Sequence, residues 1–220
     1  MIVQLACQRM KLNLLASDIA KLTRFQSIMM SEIYVSTDIE TDGPLPGGYS
    51  MLSLGSAAYR ADSQLLDTFS VNLSALPGAR QQPDTMAWWA EHPDAWAACQ
   101  VDPQPPAQAM AAYHQWLKGL PGKPIFVAYP AGFDFMFVNW YLINFVGDSP
   151  FGHNALDIRS YAMAFLGRDY EHSGKRHLPA EWLGKPSMSH LALDDAIQQG
   201  TLFFHLVQAN QQRRKGNLLA

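Results

Sequence analysis

Two acidic residues with the spacing of a metal-binding pair stand near the end of a strand-like stretch, Glu32–Pro46 (EIYVSTDIETDGPLP). Apolar and polar residues alternate through its first half, which predicts a β-strand whose alternate side chains share a face. Asp38 and Glu40 therefore project from the same face, just before Gly43 helps to break the strand. Neighbouring carboxylates repel each other, and hard divalent cations such as Mg²⁺ neutralise such pairs. The alternative at this point is a solvated strand end that carries two acids by chance.

A third acid, Asp134, stands in the sequence Gly-Phe-Asp-Phe, just after a short apolar run at 124–128. The run predicts a strand buried on both faces, and the apolar stretch that contains Asp134 predicts a helix. Side chains that follow such strands gather at one edge of a sheet, where Asp134 can face Asp38 and Glu40. An acid in a first helical turn is also a routine partner of the helix dipole, so this alternative stays open.

The sequence SHLALDDA at 189–196 adds a histidine and two further acids at the start of a long predicted helix. His190 and Asp195 are five positions apart and do not share a helix face, but a histidine on the preceding loop can point into the same pocket. Spacing alone does not choose between Asp194 and Asp195. A surface helix with acids near its positive end is the competing interpretation.

The pattern along the chain predicts strands and helices that alternate around these residues. Three strands form an antiparallel meander, and strand–helix units then follow, which together predict a mixed α/β sheet. Strands are predicted at 33–40, 49–59, 65–73, 124–128 and 155–158. Helices are predicted at 84–99 with a break at Pro93 and an N-cap at Asp84, at 107–120, 133–145, about 159–165, 179–183 and 190–212.

Composition limits the possible classes of protein. The chain has 220 residues, 48% of them apolar and 16% charged, which is typical of one globular domain. A formal net charge of −3 argues against a protein that coats nucleic acid through bulk positive charge. Cys7 and Cys99 have neither disulfide nor metal spacing, and no apolar run is long enough to span a membrane, so we expect a cytoplasmic protein.

The first 29 residues are expected to be an extension of a single domain at 30–215. Charges are scattered through residues 1–28, unlike in a secretory signal peptide. We hypothesise that Met29 or Met30 is the biological start, because the first strand follows at once. An N-terminal helix packed on the domain is the alternative.

In combination, the three acidic segments resemble the DEDDh group of 3′–5′ exonucleases, which includes RNase T, oligoribonuclease and proofreading subunits. The resemblance extends from Ile33 to about Phe204, and it selects Asp195 over Asp194. The matching residues are Asp38 and Glu40 in TDIETDG, Asp134 in GFDF, and His190 with Asp195 in SHLALDDA.

The resemblance implies an RNase H-like mixed sheet, an antiparallel three-strand meander plus parallel strands, with helices on both faces. It implies two divalent cations, Mg²⁺ or Mn²⁺, held by Asp38, Glu40, Asp134 and Asp195, with Asp38 bridging them. His190 is implied as the general base that takes a proton from water, and 5′-mononucleotides as the products.

The sequence departs from the DEDDh pattern where His-Asn-Ala often precedes Phe-Asp, because it has Tyr-Pro-Ala-Gly at 129–132. The helices predicted at 84–99, with three tryptophans, lie outside the pattern.

Substrate contacts are predicted for Ile39, Thr41, Phe135 and Lys185. Other loop cations suited to backbone phosphates are Arg168, Lys175 and Arg176.

We therefore expect a 3′–5′ exonuclease that acts on the 3′ ends of single-stranded nucleic acid. RNA is favoured over DNA because the chain has no polymerase or helicase module and several stand-alone relatives trim RNA. The alternatives are a DNA exonuclease of repair or proofreading, a binding module without turnover, and a metalloprotein that is not a nuclease. We expect no membrane contact, and a homodimer is a further hypothesis.

Overall fold

The computed structural model describes residues 31–183 and 191–217. The expectation of an N-terminal extension at 1–29 and the predicted roles of Lys185 and His190 lie outside the described residues.

A five-stranded mixed sheet forms the centre of the described chain, with strand order β3-β2-β1-β4-β5. The pairs β1–β2 and β2–β3 are antiparallel, whereas β1–β4 and β4–β5 are parallel. The sheet therefore confirms the predicted meander followed by parallel strands. The strands are β1 (Glu32–Thr41), β2 (Met51–Arg60), β3 (Leu65–Asn72), β4 (Lys123–Ala128) and β5 (Ala155–Asp157).

Helices cover both faces of this sheet, as predicted. Three of them carry proline at or next to the first helical position, where a missing N–H does no harm. No helix in residues 31–183 and 191–217 is long and apolar enough to cross a membrane. The helices are α1 (Pro83–Glu91), α2 (Pro93–Cys99), α3 (Pro106–Gly119), α4 (Ala131–Phe145), α5 (Ile158–Leu166), α6 (Ala180–Leu183) and α7 (Ala192–Asn217).

The predicted N-cap at Asp84 is wrong. Helix α1 begins at Pro83 with Gln82 as its N-cap, and Asp84 lies inside the first turn. The proline ring fixes a helical φ angle one residue earlier than the acid, so the helix starts there.

The two faces of β1 have different neighbours. Ile33, Val35 and Ile39 belong to the main core, together with buried side chains of α3 and α4. Tyr34 on the opposite face packs in a second core with residues of α5 and α7. Because side chains alternate along a strand, the face of Tyr34 is also the face of Asp38 and of α7.

Two glycines bring α7 close to β2. A Cβ atom at Gly55 would overlap the backbone of Ala192 and Leu193, and one at Gly200 would lie 2.5 Å from the Tyr59 ring. Only residues without side chains allow this approach. The segment of α7 between these contacts therefore lies against the sheet, with its first turn opposite Gly55 and close to Asp38 near the end of β1.

Candidate metal and nucleic-acid site

Three carboxylates meet where the end of β1 faces the first turn of α7. One oxygen each from Asp38, Glu40 and Asp195 lies within 4.8 Å of the others, and all three side chains are partly buried. Asp194 is exposed. The structure therefore brings Asp195, rather than its neighbour, to the acids of β1.

A fourth carboxylate comes from the first turn of α4. Asp134 is only 5% exposed, and its side chain accepts a hydrogen bond from the backbone N–H of Ile39. This bond joins Asp134 to β1 between Asp38 and Glu40. Four acids from three separate elements thus form one group, which we call the acidic cluster: Asp38, Glu40, Asp134 and Asp195.

Burial and mutual repulsion make the acidic cluster unfavourable in its fully charged form. Burial, and then the charges of Asp134, Glu40 and Asp195, raise the pKa of Asp38 well above its usual range. Burial raises the pKa of Glu40 to about 8, with Asp195 and Asp134 adding to the shift, and burial raises that of Asp134 to about 7. Such a group is stable when protons or cations neutralise it, and its oxygen donors suit Mg²⁺ or Mn²⁺.

Gln199 also faces the acidic cluster, one helical turn after Asp195. It is 1% exposed, and its Nε2 donates a hydrogen bond of 2.5 Å to Oδ1 of Asp38. Its Oε1 is buried and has no hydrogen-bond partner within the described residues. Sequence reasoning missed Gln199, although its position four residues after Asp195 places both on one helix face.

One loop cation stands beside the acidic cluster. The ammonium of Lys175 lies 5.3 Å from the centroid of the Tyr129 ring. Its positive charge lowers the pKa of both Asp38 and Asp134, against the larger effect of burial. The Tyr129 hydroxyl holds the loop by donating a 2.9 Å hydrogen bond to the carbonyl of Ser173. Tyr129, where the sequence departs from the DEDDh pattern, thus supports a cation next to the acids.

The other described loop cations point to partners within the loop. Arg168 donates a 2.5 Å hydrogen bond to the carbonyl of His177, and Nε of Arg176 lies 2.9 Å from the imidazole of the same residue. Among the described residues of this loop, Lys175 is the cation whose charge lowers the pKa of acids in the cluster.

A groove of about 430 Å³ lies between α1, the end of β1 and the first turn of α4. Trp88 and Phe133, each 37% exposed, lie on its walls, and Thr41 lines it near the end of β1. Nε1 of the buried Trp89 donates a 3.0 Å hydrogen bond to the Thr41 carbonyl, which attaches α1 to β1. Helix α1, which lies outside the DEDDh pattern, thus supplies one wall of this groove.

Some of the residues predicted to contact substrate line the groove, and others are buried in the core. Thr41 lines it, whereas the Ile39 side chain is buried in the main core. Phe135 packs against Phe126, with ring centroids 5.2 Å apart, and Phe133 is the aromatic residue of the same turn that faces the groove.

Comparison with known proteins gives one curated relative. The chain is 29% identical over 189 residues to the 3′–5′ DNA exonuclease Cap18 of Escherichia coli, covering 84% of this chain and 96% of the relative. No protein-family model matches the chain.

Solved structures with the same fold include two exonucleases. The nuclease domain of 3′hExo, a DEDDh family member bound to rAMP, superposes with a TM-score of 0.62 at 13% identity, covering 81% of this chain and 93% of that one. The zinc-bound Escherichia coli ExoI–ssDNA complex gives a TM-score of 0.60 at 14% identity, covering 87% and 43%. These comparisons confirm the predicted resemblance and the RNase H-like fold.

Proposed function

We propose that this chain, which has the RNase H-like fold of the DEDDh 3′–5′ exonucleases, is itself a metal-dependent 3′–5′ exonuclease. The observation that carries the proposal is the convergence of four carboxylates from β1, α4 and α7. A binding module has no need to bury four acids together, because their repulsion destabilises the fold. The arrangement is explained when cations required for turnover neutralise it.

The four acids would hold two divalent ions. Asp38, Glu40 and Asp195, whose oxygens lie close together, would hold one ion, and Asp38 with Asp134 would hold the other. Bound there, the pair would neutralise charge on a phosphodiester and lower the pKa of a water molecule. The buried Gln199 that donates to Asp38 supports a built metal site over a chance group of acids.

The chain's own side chains would supply the remaining chemistry. His190 is proposed as the general base, because an imidazole with an ordinary pKa of about 6.5 can take a proton from water near neutral pH. Lys175 is proposed to contact a backbone phosphate. Trp88 and Phe133 are proposed to hold a base in the groove, since stacking on aromatic rings tolerates any base. The products would be 5′-mononucleotides released from the 3′ end.

RNA is proposed as the first candidate substrate. DNA is the second candidate, and one observation favours it: the curated relative, at 29% identity, is a DNA exonuclease.

The proposal is tested with 5′-labelled RNA and DNA single strands of the same sequence, incubated with Mg²⁺, Mn²⁺ or EDTA. We expect a ladder of products shortened stepwise from the 3′ end with either metal, and intact strands in EDTA. The sugar preference follows from the two initial rates. Cleavage that continues in EDTA would contradict the metal-dependent mechanism, and no cleavage of either strand would contradict the nuclease function.

A further inference from the structure

Gln199 occupies a position in α7 that stability alone does not explain. Its side chain is almost fully buried between α7 and β1, with the amide carbonyl oxygen lacking a hydrogen-bond partner within the described residues. Burying an unpaired polar atom costs free energy, which an apolar side chain of similar length would avoid. A role other than stability must therefore explain why this position has an amide side chain.

The acceptor of the hydrogen bond from the Gln199 amide explains this role. Nε2 of Gln199 donates to Oδ1 of Asp38, and Asp38 is the residue shared by both proposed ion sites. An N–H donor favours the charged carboxylate and restricts its rotation, while Oδ2 remains available to a cation. Because Gln199 and Asp195 are four residues apart on α7, one helix face both contributes a carboxylate and orients the carboxylate opposite.

We propose that Gln199 is a positioning residue for the metal site. Its side chain holds Asp38 in the orientation that binds divalent cations. The inference rests on the proposed function for its biological meaning. The quantity that Gln199 is expected to change is the affinity of the protein for divalent metal, which can be measured without nucleic acid. Residues that orient metal ligands typically change metal affinity or activity by about 10- to 100-fold when they are removed.

The test compares the full-length wild type with Gln199→Met, which keeps the length of the side chain and removes the amide. Gln208→Met is the matched control, because Gln208 is an exposed glutamine further along the same helix. Mn²⁺ binding to each protein is titrated without nucleic acid, by the electron paramagnetic resonance signal of free Mn²⁺, and the Mn²⁺ concentration at half-saturation is the midpoint used as the readout. We expect Gln199→Met to raise this midpoint about 10-fold and Gln208→Met to leave it within about twofold.

Kinetics separate positioning from a general structural role. With an oligonucleotide substrate, Gln199→Met should lower kcat at limiting Mn²⁺, recover most of it at high Mn²⁺, and leave KM for the oligonucleotide within about twofold. A purely structural role would lower the melting temperature in EDTA and leave the Mn²⁺ midpoint unchanged, and that result would overturn the inference. If Gln199→Met does not fold, Gln199→Asn serves in its place, because its amide is one methylene too short to reach Asp38.

The outcomes also distinguish this inference from the proposed function. An active wild type together with an unchanged midpoint in Gln199→Met overturns the role of Gln199 alone. A wild type that binds Mn²⁺ with the expected Gln199 dependence, yet cuts neither RNA nor DNA, overturns the nuclease function and supports the positioning role.

Discussion

Gly55 lies directly opposite Asp38 in the antiparallel pairing of β1 and β2. The backbone of α7 at Ala192 and Leu193 occupies the space where a side chain of Gly55 would be. A glycine on one strand thus sets the distance between a carboxylate on the next strand and the helix that delivers Asp195.

Gly55→Ala should therefore disturb the acidic cluster without changing any of its members. The new methyl group would meet backbone rather than a flexible side chain, so α7 must shift. We expect a loss of about 1–3 kcal/mol in unfolding free energy, as for other overpacked sites, together with weaker Mn²⁺ binding. Urea unfolding in EDTA and Mn²⁺ titration measure the two effects. Gly119→Ala is the control, since a Cβ there meets open space, and equal behaviour of the two variants would contradict this role of Gly55.

Two adjacent aspartates allow a matched test of the metal ligands. Asp195→Asn should lower turnover by about 1,000-fold or more, because an amide is a poor substitute for a carboxylate that holds a cation. Asp194→Asn alters an exposed acid on the same helical turn and should stay within about threefold of wild type. Initial rates at saturating Mn²⁺ on a labelled single strand give both values. Similar losses in the two variants would mean that the structure assigns the wrong aspartate.

Stability in the absence of metal should fall as the pH rises. Glu40 has a pKa raised to about 8 and Asp134 one raised to about 7, whereas carboxyl groups in the unfolded chain titrate near pH 4. Between these values the folded protein binds more protons than the unfolded chain, so the unfolding free energy decreases with pH. We expect a loss of several kcal/mol between pH 5 and pH 9 in EDTA, at about 1.4 kcal/mol per pH unit for each carboxyl group that stays protonated.

Divalent metal should reverse this loss, because the cation takes the place of the bound protons. Urea unfolding at pH 5, 7 and 9, with EDTA or with Mn²⁺, measures the effect. Stability in EDTA that rises from pH 5 to pH 9 would contradict the buried, crowded state of the four acids.

His190→Ala tests the proposed general base. Loss of a positioned base typically lowers a rate by about 100- to 10,000-fold, and the increase of the wild-type rate with pH as the imidazole loses its proton should disappear. Rates are measured from pH 6 to pH 9 at saturating metal. His153→Ala removes an exposed loop histidine with no assigned role and is the control. A pH profile of His190→Ala that coincides with wild type would exclude the base.

Lys175→Met should weaken substrate binding more than it slows chemistry. The lost ammonium stands beside Asp38 and Asp134, so we expect KM to rise about 10-fold and the slope of log(kcat/KM) against log[salt] to shrink by about 0.7. Lys123→Met removes a charge at the opposite end of β4 and is the control. An unchanged KM and salt slope would place Lys175 outside the substrate path.

The sequence was most informative where the periodicity of a strand or helix determines the face on which a side chain lies. Alternation along β1 placed Asp38 and Glu40 on one face, and turn residues and prolines located nearly all the described helices to within a few residues. The family resemblance separated Asp195 from Asp194 where spacing did not.

Contacts between distant segments were harder to predict. The rotation of α4 turns Phe133 toward the groove and Phe135 toward the core. The path of the loop places Lys175 over the Tyr129 ring and Arg168 against the carbonyl of His177. Both depend on packing that residue spacing does not encode. The role of His190, the domain bounds, the compartment and the homodimer stay predictions.

The order in which the chain leaves the ribosome has a consequence for when the protein can act. Asp38 and Glu40 emerge first and Asp134 later, but Asp195 and Gln199 are carried by α7, the last helix that the structure describes. A growing chain that lacks this helix cannot complete the acidic cluster. The proposed nuclease activity would therefore begin only after α7 has been synthesised and has docked on β2, and the unfinished polypeptide would not attack nucleic acid at its site of synthesis.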